Sequence, residues 1–193
     1  MDDSVVRALA KWPDVPAVYG WLHLDQRGQW RLKDEVVRHA GLAAFLGRNY
    51  ASDAHGNWYV QNGPQRVYVT LDYTPWVIRL GADSQLETHT GLALTKLSAA
   101  MLDNQGQLLI ESEHGIAVVS DRDLPTLLDA VWNADQRRAN EAELLTLMHG
   151  DDSQLVFRWG SASLALMATR ASEIPARYRY VMQPSLKESG LSA

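Results

Sequence analysis

The stretch LDQRGQW, Leu24 to Trp30, is echoed by SDAHGNW, Ser52 to Trp58, and by LDNQGQL, Leu102 to Leu108. Each writes Asp-x-x-Gly-x and then a large apolar residue. An Asp carboxylate at the head of a bend accepts from backbone N–H groups just beyond it. Gly at the fourth position tolerates the positive φ that closes a type I turn with a bulge. The residues VYGWLHL before Asp25 are β-rich, and QWRL after the bend returns. The triplet therefore predicts three β-hairpins, with Trp30, Trp58 and Leu108 anchoring the returning strands in a core. The Asp residues are 28 and 50 apart, which is too unequal for a solenoid of fixed period. Two origins stay open at this level: one duplicated hairpin unit with different insertions, or three independent uses of the same turn chemistry.

Working outward, Ser4 to Trp12 reads as a short helix capped by Ser4 or Asp3 and stopped at Pro13. KDEVVRHAGLAAFLGRNY predicts a helix, or two short ones, carried by Val36, Val37, Ala40, Leu42, Ala44 and Phe45, with Gly41 and Gly47 as weak points. Strict alternation over Arg66–Leu71 marks a strand. ALTKLSAAMLD fits strand and helix equally, and LLIESEHGIAVVS is a hairpin around Glu113-His114-Gly115. DRDLPTLLDAVWNADQ is the clearest helix. Asp121 or Asp123 would cap it, Pro125 sits in its first turn, and Leu124, Leu127, Leu128, Val131 and Trp132 make a buried stripe. NEAELLTLMHG predicts a second helix closed by Gly150, and QLVFRWGSASLALMATR a hairpin bending at Gly160-Ser161. This order implies an α+β fold of mainly antiparallel sheets, built from repeated β-hairpins packed against helices. The expected division is a unit over 1–80 with two of the Asp-x-x-Gly hairpins, a second over 81–184, and a frayed tail over 185–193.

Composition narrows function mainly by exclusion. Hydrophobic residues make up 46% and charged residues 21%, the balance of an ordinary globule. The net charge of −5 argues against general nucleic-acid binding, which wants a basic surface. Without cysteine the chain can form no disulfide, thiolate nucleophile or thiolate zinc site. The acidic start MDDSVVRALAKW lacks the basic and apolar regions of a signal peptide, and no run approaches ~20 apolar residues. The expectation is a soluble, cytoplasmic protein without a membrane partner.

Nucleotide, metalloprotease, serine-hydrolase and EF-hand signatures are all missing. Six scattered histidines imply no metal, and no cofactor is expected; His39, near an apolar helix face, reads as a packing residue. The densest polar and aromatic stretch runs from Arg48 to Trp76. Asn62, Gln65 and Arg66 can present amides and a guanidinium to a carboxylate or phosphate; the bland alternative is an amide-stabilised turn. Asp72 and Tyr73 form either a polar corner at a pocket mouth or an Asx turn. Arg48 and Tyr50 either line the same pocket or end the preceding helix. Arg177 to Tyr180 alternates basic and aromatic residues, which suits base stacking or, more plainly, a strand with two faces. Asp151-Asp152 reads as a solvated turn.

The run from Asp25 to Leu80 resembles uncharacterised proteobacterial families known only as domains of unknown function. The D-x-x-G-x-W hairpin, the VVRHAGLAAFL helix, the second hairpin and RVYVTLDYTPWVI carry the resemblance. It implies an α+β fold with repeated structural motifs and a suggested part in signal transduction, and it brings no catalytic residue. Two functional readings follow. The first is a non-enzymatic module that binds a small molecule or a protein, in signalling or regulation, with self-association left open. The alternative is an enzyme acting on a small anionic metabolite through a motif-free site around Arg48, Gln65, Arg66 and Asp72.

Overall fold

The computed structural model describes residues 1–11, 15–150 and 154–185. The expected stop at Pro13, the Asp151-Asp152 turn and the tail beyond Ser185 lie outside the described residues. The described residues divide into two compact units, one formed from within 1–75, 89–91 and 179–185, the other from within 76–88 and 92–178.

The first unit comprises α1 (Asp3–Lys11), β1 (Val18–Leu24), β2 (Trp30–Leu32), β3 (Glu35–Val36), α2 (Ala40–Arg48), β4 (Tyr50–Ser52), β5 (Trp58–Asn62) and β6 (Gln65–Leu71). Its six strands form one sheet in the order β3-β2-β1-β6-β5-β4. The second unit comprises β7 (Trp76–Leu80), β8 (Leu86–Thr88), β9 (Leu97–Asp103), β10 (Leu108–Ser112), β11 (Gly115–Val119), α3 (Leu124–Leu128), β12 (Val131–Trp132), α4 (Glu141–Met148), β13 (Val156–Trp159), β14 (Ala162–Thr169) and α5 (Ile174–Tyr178). Its sheet runs β12-β13-β14-β9-β10-β11-β7-β8.

Read from the other edge, six strands of the second sheet repeat the first: β11-β10-β9-β14-β13-β12 stands against β3-β2-β1-β6-β5-β4. In each unit a helix joins the two outer strands of the series, α2 running between β3 and β4 and α3 between β11 and β12. Each centre is a parallel pair. Leu22, His23 and Leu24 of β1 face Val69, Thr70 and Leu71 of β6, and Met101, Leu102 and Asp103 of β9 face Met167, Ala168 and Thr169 of β14. A third parallel pair joins β7 to β11. The fold is thus α+β and mostly sheet, but its sheets are mixed. The expectation of mainly antiparallel hairpins fails because a hairpin signal is local: it specifies neighbours in sequence and is silent on which hairpins meet edge to edge.

Several element boundaries are also corrected. Val36 and Val37 do not start a helix; Val36 pairs with Arg31 and Val37 N donates to Trp30 O at 2.8 Å. The helix starts at Ala40, capped by His39, whose exposed ring accepts at Nδ1 from Leu42 N at 3.1 Å. His39 is therefore a cap and not a packing residue. The long helix expected to reach Trp132 ends at Leu128, and Val131-Trp132 pairs with Val156-Phe157 as a strand. β-Branched Val favours that outcome. Asp123 stands at the N-cap without a side-chain cap bond, its Oδ2 accepting instead from Leu80 N at 3.1 Å. Within ALTKLSAAMLD, Leu97–Asp103 resolves as strand β9. Residues 177–178 belong to α5 and Arg179 adopts φ 54°, so no strand runs through Arg177–Tyr180.

The ambiguity of β9 has a physical source. Ala100, Met101, Leu102 and Asp103 are consecutively buried, as are Leu108–Ile110 and Ile116–Val119. Strands covered on both faces lose the period-2 signature. In the first unit burial concentrates on Leu22, Leu24, Trp30, Val60, Val69 and Leu71. Trp30 is 4% exposed and Leu108 0%, as anchors should be, whereas Trp58 is only half-buried.

Candidate functional site

The Asp-headed turns share one hydrogen-bond pattern. Asp25 Oδ1 accepts from Arg27 N at 3.0 Å and Gln29 N at 2.8 Å. Asp53 Oδ1 accepts from His55 N and Asn57 N at 2.9 and 3.0 Å, and Asp103 Oδ1 from Gln105 N and Gln107 N at 2.8 and 2.9 Å. The fourth residue donates back to the head carbonyl with positive φ: 69° at Gly28, 83° at Gly56 and 80° at Gly106.

A fourth copy exists that the sequence pattern did not reveal. Asn133 Oδ1 accepts from Asp135 N at 3.1 Å and Arg137 N at 3.2 Å, Gln136 N donates to Asn133 O at 3.1 Å, and Asn133 N donates to Arg137 O at 2.9 Å. Three substitutions hide it: Asn for Asp, Gln136 for Gly and Arg138 for the apolar anchor. Gln136 nevertheless adopts φ 60°, a region that costs a non-glycine residue about 1–2 kcal/mol. A usable signal was spacing: 103 and 133 are 30 residues apart, against 28 for 25 and 53.

Both departures bear on the same groove. The Gln136 side chain accepts from Arg158 Nη2 at 2.7 Å, and the Arg158 guanidinium lies 5.5 Å from the centre of the Trp132 ring. Arg158, Trp132 and Arg138 line a groove of about 610 Å³ with Trp159, Gly160, Asp83 and Ser84. Residues of the β7–β8 connection thereby line the same cavity as residues of β12 and β13. A contiguous space of about 590 Å³ extends past Trp159 and Ser84 toward Thr95 and Lys96. Asp83 and Ser84 on this rim have φ 57° and 58°. Consecutive left-handed non-glycine residues persist only where surrounding structure holds them, and such strain clusters at binding sites.

The groove's charges divide unequally. Arg138 Nη1 donates to Asp129 Oδ2 at 3.3 Å, an exposed pair. Arg158 is half-buried, forms no ion pair among the described residues, and has only a neutral amide and an indole face beside its charge. A second cavity, of about 480 Å³ beside the start of α4, differs: Asn133, Arg137 and Asn140 on its lining all bond Glu143. Glu143 takes Asn140 N at 2.8 Å, Asn133 Nδ2 at 2.8 Å and Arg137 Nη2 at 2.9 Å, which together hold its carboxyl below the usual range.

The seven residues singled out from sequence are placed as follows, and none lines these cavities. Arg48 pairs with Asp2, Nε to Oδ1 at 3.1 Å, and that bond lowers the Asp2 pKa. Tyr50 is buried, donates to Pro75 O at 3.0 Å, and has its pKa raised well above normal by burial. Asn62 and Gln65 face each other across the Gly63 bend, with Gln65 Nε2 donating to Pro16 O at 3.1 Å. The Arg66 guanidinium stands 4.7 Å from the centre of the Tyr59 ring. Asp72 Oδ1 lies 2.7 Å from His23 Nε2, and Tyr73 is buried. Among the described residues no cluster of three His, Asp or Glu side chains could hold a metal ion, and no helix is long and apolar enough to cross a membrane.

A family model described as "Protein of unknown function (DUF2946)" matches residues 1–185, and the chain belongs to that family. No curated protein matches it. A crystal structure of a DUF1285 family protein from Silicibacter pomeroyi DSS-3 is similar over 90% of this chain and 99% of that one, with 11% identity and a TM-score of 0.49.

Proposed function

We propose, for this member of a family with no assigned activity, that the chain is a non-enzymatic binding module whose ligand is a small molecule seated in the Trp132–Arg158 groove. One observation carries the reading. Of four turns with the same hydrogen bonding, the one at Asn133 gives up its glycine and its apolar anchor, and both replacements serve the groove. Local rules are broken mainly at functional sites, where binding compensates for strain. The cavity volume suits a small ligand. The lining's ionisable groups are arranged for recognition, Asp129 tied to Arg138 and Arg158 held by Gln136. A reversible binder of this kind suits a regulatory or signalling role.

The test is fragment screening by NMR with the Trp132 and Trp159 indole N–H signals assigned. Fragments that bind should move those two resonances first. Binders that leave both unmoved would place the site elsewhere.

A second reading, an enzyme acting on a small anionic metabolite, is favoured by the His23–Asp72 contact at 2.7 Å, with side chains 31% and 40% exposed. A carboxylate orienting a solvent-reachable imidazole is the arrangement of a general base. Turnover of model phosphoesters or esters that falls at least tenfold in His23→Asn would support it; wild-type protein inert toward both removes it.

A further inference from the structure

We infer that the ligand of this groove is a planar aromatic monocarboxylate, its carboxylate on Arg158 and its ring against the Trp132 indole; the inference rests on the binding reading above. The guanidinium is the groove's uncommitted cation. Gln136 fixes one Nη and the Trp132 face lies beside it, so the remaining N–H groups form a pre-set fork. A planar fork matches a carboxylate with two parallel hydrogen bonds, and immobilising it beforehand reduces the entropy lost on binding.

Charge count separates one anion class from another. Arg158 and Arg138 are opposed by Asp83 and Asp129 on the same lining. The lining is balanced, so it offers no surplus for a phosphate dianion, which would meet two carboxylates at close range. A single negative charge pairs with Arg158 and leaves Arg138 with Asp129. The rest of the ligand is set by Trp132, whose indole stands beside Arg158 and favours a flat ring by stacking. A short aliphatic acid would leave that indole uncovered.

The probe is 1-naphthoate, measured by calorimetry on the intact chain, with 1-naphthalenemethanol and inorganic phosphate as comparison arms. Naphthoate should bind, the neutral alcohol at least ~10-fold more weakly, and phosphate should not compete. Arg158→Gln should weaken naphthoate by about tenfold and leave the alcohol's affinity unchanged. Arg158→Lys should fall between, having the charge without the fork. Gln136→Gly, which frees the guanidinium, should weaken naphthoate by about threefold with the protein still folded by circular dichroism. Equal affinity for acid and alcohol, or naphthoate binding unchanged in Arg158→Gln, would overturn the carboxylate assignment. So would phosphate displacing naphthoate, or no naphthoate binding at all. If the alcohol or other neutral fragments still shift the Trp132 and Trp159 indole signals, the groove stands as the site and only the ligand class falls. If no binder shifts them, the groove itself is wrong.

Discussion

The turns at Asp53 and Asn133 make the same backbone bonds and are built for different ends. At Asp53 everything serves packing. The carboxylate takes His55 N, Asn57 N, both contacts from Asn57 Nδ2, and Tyr68 OH at 3.2 Å. Burial works against that charge, but these bonds prevail and lower its pKa. Gly56 is pressed so closely against the backbone of Arg179 and Tyr180 that a Cβ there would collide with Arg179 O. At Asn133 the head residue is neutral, the left-handed position carries a long amide, and the residue after the turn is an exposed arginine. One turn closes a core; the other holds a guanidinium at the rim of a cavity. A shared backbone geometry can therefore be read for function by asking where its side chains depart from what the geometry prefers.

The largest effect that follows is at Gly56. Gly56→Ala meets both an unfavourable φ and a backbone collision that no side-chain rotation relieves. It should destabilise by ~3 kcal/mol or more, seen in urea unfolding. A loss under ~1 kcal/mol would mean the tight contact does not exist.

Next is the clasp that holds the far end of the groove. Glu113 accepts from Thr95 N at 2.8 Å, Thr95 Oγ1 at 2.7 Å and Lys96 N at 3.2 Å. Partial burial opposes the charge, yet these donors bring its pKa down to about 2 from 4.5. A depressed carboxylate contributes stability that is complete above its unfolded pKa and is lost as pH falls through the folded value. Glu113→Gln should therefore cost about 2 kcal/mol at pH 7, and the difference from wild type should shrink between pH 4.5 and pH 2. A gap that is the same at pH 7 and pH 2.5 would contradict the clasp. Gly106→Ala comes third, at about 1 kcal/mol. Its φ is as positive as that of Gly56, but the nearest neighbour of an added Cβ is the flexible Met148 Cε at 3.5 Å. The contrast between the two glycines separates backbone strain from steric collision.

Much of this was legible from residues alone, and the exceptions have causes. Three turns and the buried anchors Trp30 and Leu108 followed from Asx chemistry and glycine, because those constraints are local. The capping box of α4, with Asn140 and Glu143 bonded reciprocally, is likewise local. Parallel pairing at each sheet centre was hidden, since it joins segments about 45 and 65 residues apart through no sequence signal of their own. The groove was hidden for the opposite reason. Its defining turn lacks the glycine that made the others readable, and Arg158 sits in a strand where a lone arginine looks like any solvated charge. Arg48, Arg66 and Asp72 drew notice because polar and aromatic residues crowd there, yet each has a partner within its own unit: Asp2, the Tyr59 ring and His23.

The most direct test is the unfolding free energy of Gln136→Gly beside wild type. Glycine relieves the left-handed strain, loosens the unfolded chain and forfeits the bond to Arg158, three small terms of mixed sign. If Gln136 is there to serve the groove, stability should stay within about 1 kcal/mol of wild type. A loss of about 2 kcal/mol or more would show that the glutamine holds the fold together, and the contrast between the Asn133 turn and its three glycine-bearing counterparts would have nothing to do with a ligand.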